Sequence, residues 1–181
     1  MGLDPARSTG IGTAARMENA AIVEETYEEL KVAACVTAGV EGNAGCAGDP
    51  AGYYGAGARP EIYRPGTINI LLFINADMPP GILTRALVTC TEGKTAALRE
   101  LMVGSRYSEN PATGTGTDST IIVCDPKSSL YFRSAGKHNK LGELIGKTVK
   151  EAVKKALGNQ NHLYPSTQHS VTAVSYTHLT L

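Results

Sequence analysis

Long apolar runs, a net charge of one sign and paired metal ligands are all missing from these 181 residues, and each absence removes a class of function. No run of about 18 apolar residues exists, so no membrane span is supported, and the N-terminus lacks the apolar region of a signal peptide. Seventeen basic and seventeen acidic side chains cancel, leaving no overall field to draw in nucleic acid or an anionic membrane surface. The four cysteines, Cys35, Cys46, Cys90 and Cys124, are scattered without a CxxC pair. No HxH, HExxH or paired-histidine spacing accompanies them, so a protein-held metal has no ligand set. Reduced thiols in a cytoplasmic protein are the plain reading. The length suits one domain that buries about 70% of its unfolded-chain surface without staples.

What is present alternates loosely between strand and helix patterns. Residues 1–16 have turn chemistry and no period, and read as an irregular lead-in. Ala20 to Tyr27 and Lys31 to Val40 read as strands, the second almost wholly apolar and therefore central. Glu28 and Glu29 fall in the connection between them. Seven glycines among the twenty residues from Gly39 to Ala58 read as a loop whose backbone can approach a ligand closely. Residues 51–64 read equally well as a flexible linker. A strand from Thr67 to Asn75 is interrupted by Asn69 and Asn75, polar points a core strand does not need.

After the turn signal Asp77, Pro79, Pro80, Gly81, apolar residues at Leu83, Leu87, Cys90, Ala97, Leu98 and Leu101 follow a helical period. Thr89, Thr91, Glu92, Lys94 and Thr95 make the middle of this helix too polar and too β-branched to be explained by propensity. The Gly/Thr loop Arg106 to Asp118 feeds a strand at Ser119 to Cys124, and a short strand is expected at Leu130 to Phe132. Leu141, Leu144, Ile145, Thr148, Val149, Ala152, Val153 and Ala156 then form one unbroken helical face, with lysines elsewhere and Gly158 as C-cap. Residues 159–181 show no usable period, and the terminal VSYTHLTL reads as translated adapter sequence. The pattern predicts an α/β or α+β domain, a mixed β-sheet with helices packed on it.

Several residues suggest chemistry. Gly93-Lys94-Thr95 resembles the end of a P-loop, but Val88 stands where that motif needs glycine, and a helix stands where it needs a loop. Glu92 fits a general base if it projects into a pocket, and fits a solvated surface glutamate otherwise. His138, beside Lys137 and Lys140 before a helix, fits either a proton donor or part of a capping turn. Gly114 and Gly116 free backbone amides beside Thr115, Thr117 and Asp118, which suits an oxygen-rich ligand or a tight turn.

Five ordered blocks go further: GNAGCAGDPA from Gly42, GTINILLFINADMPPG from Gly66, TRALVTCTEGKTAALREL from Thr84, ATGTGTDSTIIV from Ala112 and AGKHNKLGELIG from Ala135. Together they resemble the adenosylcobinamide amidohydrolase family over residues 3–157. The resemblance implies hydrolysis of the amide joining the aminopropanol arm to the corrin ring, giving adenosylcobyric acid for cobalamin salvage. The implied partner is a corrinoid, whose cobalt belongs to the substrate, and no further cofactor is expected; a homo-oligomer is left open. Residues 1–158 would be the amidohydrolase-like domain and 159–181 a tail. Gly93 departs from the family pattern, TEGK for TEAK, at a helix-propensity cost of about 1 kcal/mol. Family members generally continue ahead of the GLDP stretch, so the sequence reads as N-terminally truncated.

For amide hydrolysis the candidate roles divide by chemistry. Glu92 would activate water, Lys94 and the Gly114 to Thr117 amides would stabilise an oxyanion, and His138 would protonate the leaving amine. Asn43, Asp49, Asn69, Asn75, Thr115, Thr117 and Asp118 would meet the amide side chains of the substrate. A covalent route through Thr115, Thr117 or a cysteine is a second possibility. A non-catalytic corrinoid-binding module and a small structural protein are the alternatives from other classes.

Overall fold

In a computed structural model of the chain, the described residues are Gly2, 4–52 and 65–165. Four strands make the main sheet: β1 (Ala21–Tyr27), β2 (Leu30–Gly39), β4 (Thr67–Ile74) and β6 (Ser119–Cys124), in the order β1-β2-β4-β6. β1, β2 and β4 run antiparallel, whereas β6 lies parallel to β4. That parallel step is what requires a crossover, and helix α1 (Pro80–Glu100) lies within it. The apolar second strand is central, as its composition requires.

Strand alternation sorts the core. Val32, Ala34, Val36 and Ala38 of β2 face the same way as Ile68, Ile70, Leu72 and Ile74 of β4, and all are buried. Helix α2 (Lys140–Asn161) packs on this face against β2 and β1, and α1 packs on α2. The lysine-free stripe of α2 read from the sequence is the buried one, from Leu141 through Ala156. On α1 the buried stripe is Ala86, Thr89, Cys90, Gly93, Ala97 and Leu98, while Leu87 is exposed. Small residues there let the two helices approach. A Cβ on Gly93 would stand 3.1 Å from the Gly146 carbonyl oxygen, so glycine at this crossing has a packing reason beyond propensity.

Four sequence expectations are corrected. The Gly39 to Ala58 stretch is not all loop: β3 (Ala44–Gly45) pairs antiparallel with β5 (Gly114–Thr115), a second small sheet that pins two glycine-rich segments together. Residues 53–64 lie outside the described residues. Leu130 to Phe132 forms no strand; the segment makes one isolated bridge, Asp77 with Tyr131. Gly158 is not a C-cap, because α2 continues to Asn161 and ends on His162 in the left-handed region at φ 55°. Gly158 is instead buried under Tyr164, whose ring leaves no room for a Cβ. The helix therefore also enters the segment read as a periodless tail, of which residues 166–181 lie outside the described residues.

No helix among the described residues is long and apolar enough to cross a membrane.

Candidate active site

Helix α1 acts as a post to which two loops are tied. Its residues advance about 100° each, so Glu92 and Lys94 project in opposed directions. On one side, the Lys94 ammonium pairs with Asp118, the two side chains 12% and 14% exposed. The Thr95 hydroxyl donates to the Thr113 carbonyl at 3.2 Å. On the other side, the Thr89 hydroxyl donates to the Ala135 carbonyl at 2.7 Å, and Glu92 pairs with Lys137 at 3.0 Å. Apart from Thr91, whose hydroxyl bonds back to the Leu87 carbonyl at 2.9 Å, the polar middle of the helix is thus accounted for by partners distant in sequence.

Asp118 is the most heavily contacted carboxylate on the cleft side. Its Oδ1 accepts the Ile68 amide at 2.9 Å and the Thr115 hydroxyl at 2.5 Å; its Oδ2 accepts the Thr115 amide at 3.0 Å and Lys94. Gly114 is required beside this pair, since a Cβ there would lie 2.7 Å from Lys94 Nζ and closer still to Asp118. A paired charge this shielded contributes little net stability, because desolvation offsets the attraction.

The cleft holds about 1010 Å³ and lies between α1, the β3–β5 pair and residues 46–52. That is at the upper end of the roughly 300–1,000 Å³ common for small-molecule sites. Lys94, Thr115 and Asp118 line it together with Asn43 and Asp49. Five residues named from the sequence are therefore brought to one place. Asn43 is buried and directs its amide nitrogen toward Thr117 Oγ1 at 3.5 Å, while its Oδ1 has no partner among the described residues. Thr117 stands behind the wall, its hydroxyl donating to the Gly66 carbonyl at 2.9 Å. Asp49 accepts from the Ser105 and Ser108 hydroxyls, both at 2.6 Å, and from the Cys46 amide at 2.8 Å. Those bonds, the serine hydroxyls foremost, hold its carboxyl down from 3.8 to about 2. Asp49 is a fixed anion that joins the two walls.

The other named residues lie elsewhere. Glu92 and His138 are exposed and do not line the cleft; His138 belongs to the turn before α2, where Asn139 caps the helix by accepting the Gly142 amide at 2.9 Å. Asn69 is buried in β4, where its amide nitrogen donates to the Gly12 carbonyl and anchors the lead-in segment. Asn75 props the β1–β2 turn, accepting from the Lys31 amide at 2.6 Å and donating to the Glu29 carbonyl at 2.8 Å. Both asparagines are polar because they tie backbone across the fold. Thr91, Thr95, Thr113, Tyr107 and Cys46 also line the cleft and were not assigned to the site from the sequence. For Thr91 the signal existed: it stands three residues before Lys94 and four before Thr95, both same-face spacings on a helix. Cys90 is no candidate nucleophile, since burial pushes its thiol up to about 12. No group of three or more His, Cys, Asp or Glu among the described residues could hold a metal ion.

Fold and site define an α+β domain with a hydroxyl-lined cleft built around a shielded lysine–carboxylate pair. The chain belongs to the adenosylcobinamide amidohydrolase (CbiZ) family, whose sequence model matches residues 1–165. It is similar to the uncharacterized protein MJ1613 of Methanocaldococcus jannaschii, 37% identical over 164 residues, a span of 84% of this chain and 64% of that protein. The chain therefore covers somewhat under two thirds of that relative's length. No solved structure matches it.

Proposed function

We propose that the chain hydrolyses the aminopropanol amide of adenosylcobinamide, giving adenosylcobyric acid in corrinoid salvage, and that the Lys94–Asp118 cleft is where this occurs. The observation that carries the reading is one carboxylate that holds both an ammonium and a hydroxyl inside a large cleft of a family member. Amide hydrolysis needs an oxyanion stabiliser and an acid for the leaving amine. Lys94 supplies both, as a cation beside the developing oxyanion and, next to Asp118, as the proton donor; the Thr115 and Thr117 amides of the neighbouring loop are held by Asp118 Oδ2 and Thr115 Oγ1. Asn43 and Asp49 shape the wall that receives the corrinoid. Glu92 and His138, set away from the cleft, receive no step. The corrinoid brings its own cobalt as part of the substrate.

The test is mass analysis of adenosylcobinamide incubated with the full chain. Aminopropanol and a corrinoid carboxylic acid are expected in equal amounts. Intact adenosylcobinamide with a shifted corrinoid spectrum would refute hydrolysis in favour of simple binding, and no shift at all would refute the corrinoid.

A further inference from the structure

The cleft presents several hydroxyl groups, and their protons go to different places. Thr91 donates back to the Leu87 carbonyl at 2.9 Å, and Thr95 to the Thr113 carbonyl at 3.2 Å. Thr115 donates to a carboxylate, Asp118 Oδ1, at 2.5 Å. This contact is not needed to close the turn, which the Thr115 amide already closes on Asp118 Oδ2 at 3.0 Å. It adds a hydroxyl whose proton has an acceptor, in a residue that lines the cleft. The Thr117 amide points at the same Thr115 oxygen from 3.4 Å, where it would stabilise charge building on that atom. Lys94 holds the other oxygen of the carboxylate. A hydroxyl, a proton acceptor and a fixed third group in that order are the arrangement that activates an oxygen nucleophile.

We propose that amide cleavage runs through a covalent ester on Thr115 Oγ1, an inference that rests on the amide-hydrolysis reading above. Thr115 Oγ1 attacks the amide carbon as its proton passes to Asp118 Oδ1, and the carbonyl electron pair moves onto oxygen. The tetrahedral oxyanion collapses, the carbon–nitrogen bond breaks, and Lys94 gives a proton to the departing amine. The proton on Asp118 crosses to Lys94, which restores the ion pair beside an acyl-Thr115 ester. Water then attacks the ester, losing its proton to Asp118. The carbon–oxygen bond to Thr115 breaks, that proton returns to Thr115 Oγ1, and the carboxylic acid leaves. The sum is amide plus water to acid plus amine, without oxidant or reductant.

The experiment uses the full chain, Thr115→Val and Thr115→Ser with adenosylcobinamide, quenched in acid within the first turnover and digested for peptide mass mapping. The expected result is a corrinoid acyl adduct on the Thr115 peptide and a burst of aminopropanol ahead of free corrinoid acid. Added hydroxylamine should divert product to the hydroxamate. Thr115→Val, which keeps the β-branch and the amide, should lose about 10³-fold or more in turnover, and Thr115→Ser should stay within about 10-fold. Circular dichroism melting of both variants within a few degrees of the parent separates lost chemistry from lost fold. If the parent releases aminopropanol with no adduct and no hydroxamate, or Thr115→Val turns over within about 10-fold of the parent, the covalent route is overturned while the amidohydrolase reading stands. If the parent releases no aminopropanol, the amidohydrolase reading itself fails.

Discussion

Removing either partner of the Lys94–Asp118 pair should not cost the same, and the hydrogen bonds around Asp118 say which loss is larger. Lys94→Met leaves the carboxylate with the Ile68 amide, the Thr115 amide and the Thr115 hydroxyl. One charged hydrogen bond is lost, worth about 1.5–3 kcal/mol, and Met recovers part of that by packing. A net destabilisation of about 1–2 kcal/mol follows. Asp118→Asn instead turns an NH₂ toward two donors, Lys94 Nζ and the Thr115 amide. A shielded ammonium without its partner costs about 3–5 kcal/mol, and an unpaired amide adds about 1–3 kcal/mol. Lys94 is 12% exposed, so water reaches it in part, and about 4 kcal/mol is the expected total. The double variant removes the stranded ammonium and should be more stable than Asp118→Asn alone. Urea unfolding with a shared m-value gives all three differences. The reasoning fails if Lys94→Met costs as much as Asp118→Asn, or if the two substitutions add to within about 0.5 kcal/mol.

Two glycines of α2 should respond in opposite directions to alanine, read as melting temperature. A Cβ on Gly146 meets nothing within 4 Å, so Gly146→Ala should stabilise by about 1 kcal/mol through helix propensity; a Cβ on Gly142 would fall onto the Gly136 backbone and lie 2.8 Å from the Ala135 oxygen, so Gly142→Ala should destabilise. Asp49, with its carboxyl lowered from 3.8 to about 2, contributes stability that is present above its ordinary value and lost as pH falls through about 2. Asp49→Asn should therefore flatten the melting temperature against pH between roughly 4 and 2 relative to the parent, and an unchanged slope would count against the Ser105 and Ser108 bonds. Cys90, buried and with its thiol raised to about 12, should resist iodoacetamide in native buffer and react only on unfolding, as peptide mass mapping would record.

The strands and both helices were legible because period and composition fix them locally: the even residues of β2 and β4, and the α2 face from Leu141 to Ala156, bury as they read. The β3–β5 pair was not, because its register joins Ala44 to Thr115 across a separation no local pattern carries. Polar interruptions were legible as anomalies but not as roles. Asn69 and Asn75 answer to backbone at Gly12, Glu29 and Lys31, and an asparagine that ties a distant segment has the same local signature as one that meets a substrate. On α1 the contacts sort the polar residues into two sets. Arg85, Thr89 and Glu92, spaced by four and three, form one stripe toward residues 135–137. Thr91, Lys94 and Thr95 form another, toward the loop from Thr113 to Asp118. Helical spacing links Thr91 to Lys94 and Thr95, but it also puts Glu92 three before Thr95, so the contacts and not the spacing sort the two sets. Two residues apart on a helix, Glu92 and Lys94 are parted by the sequence itself; which side meets the loop that carries Thr115 is fixed by the Lys94–Asp118 pair.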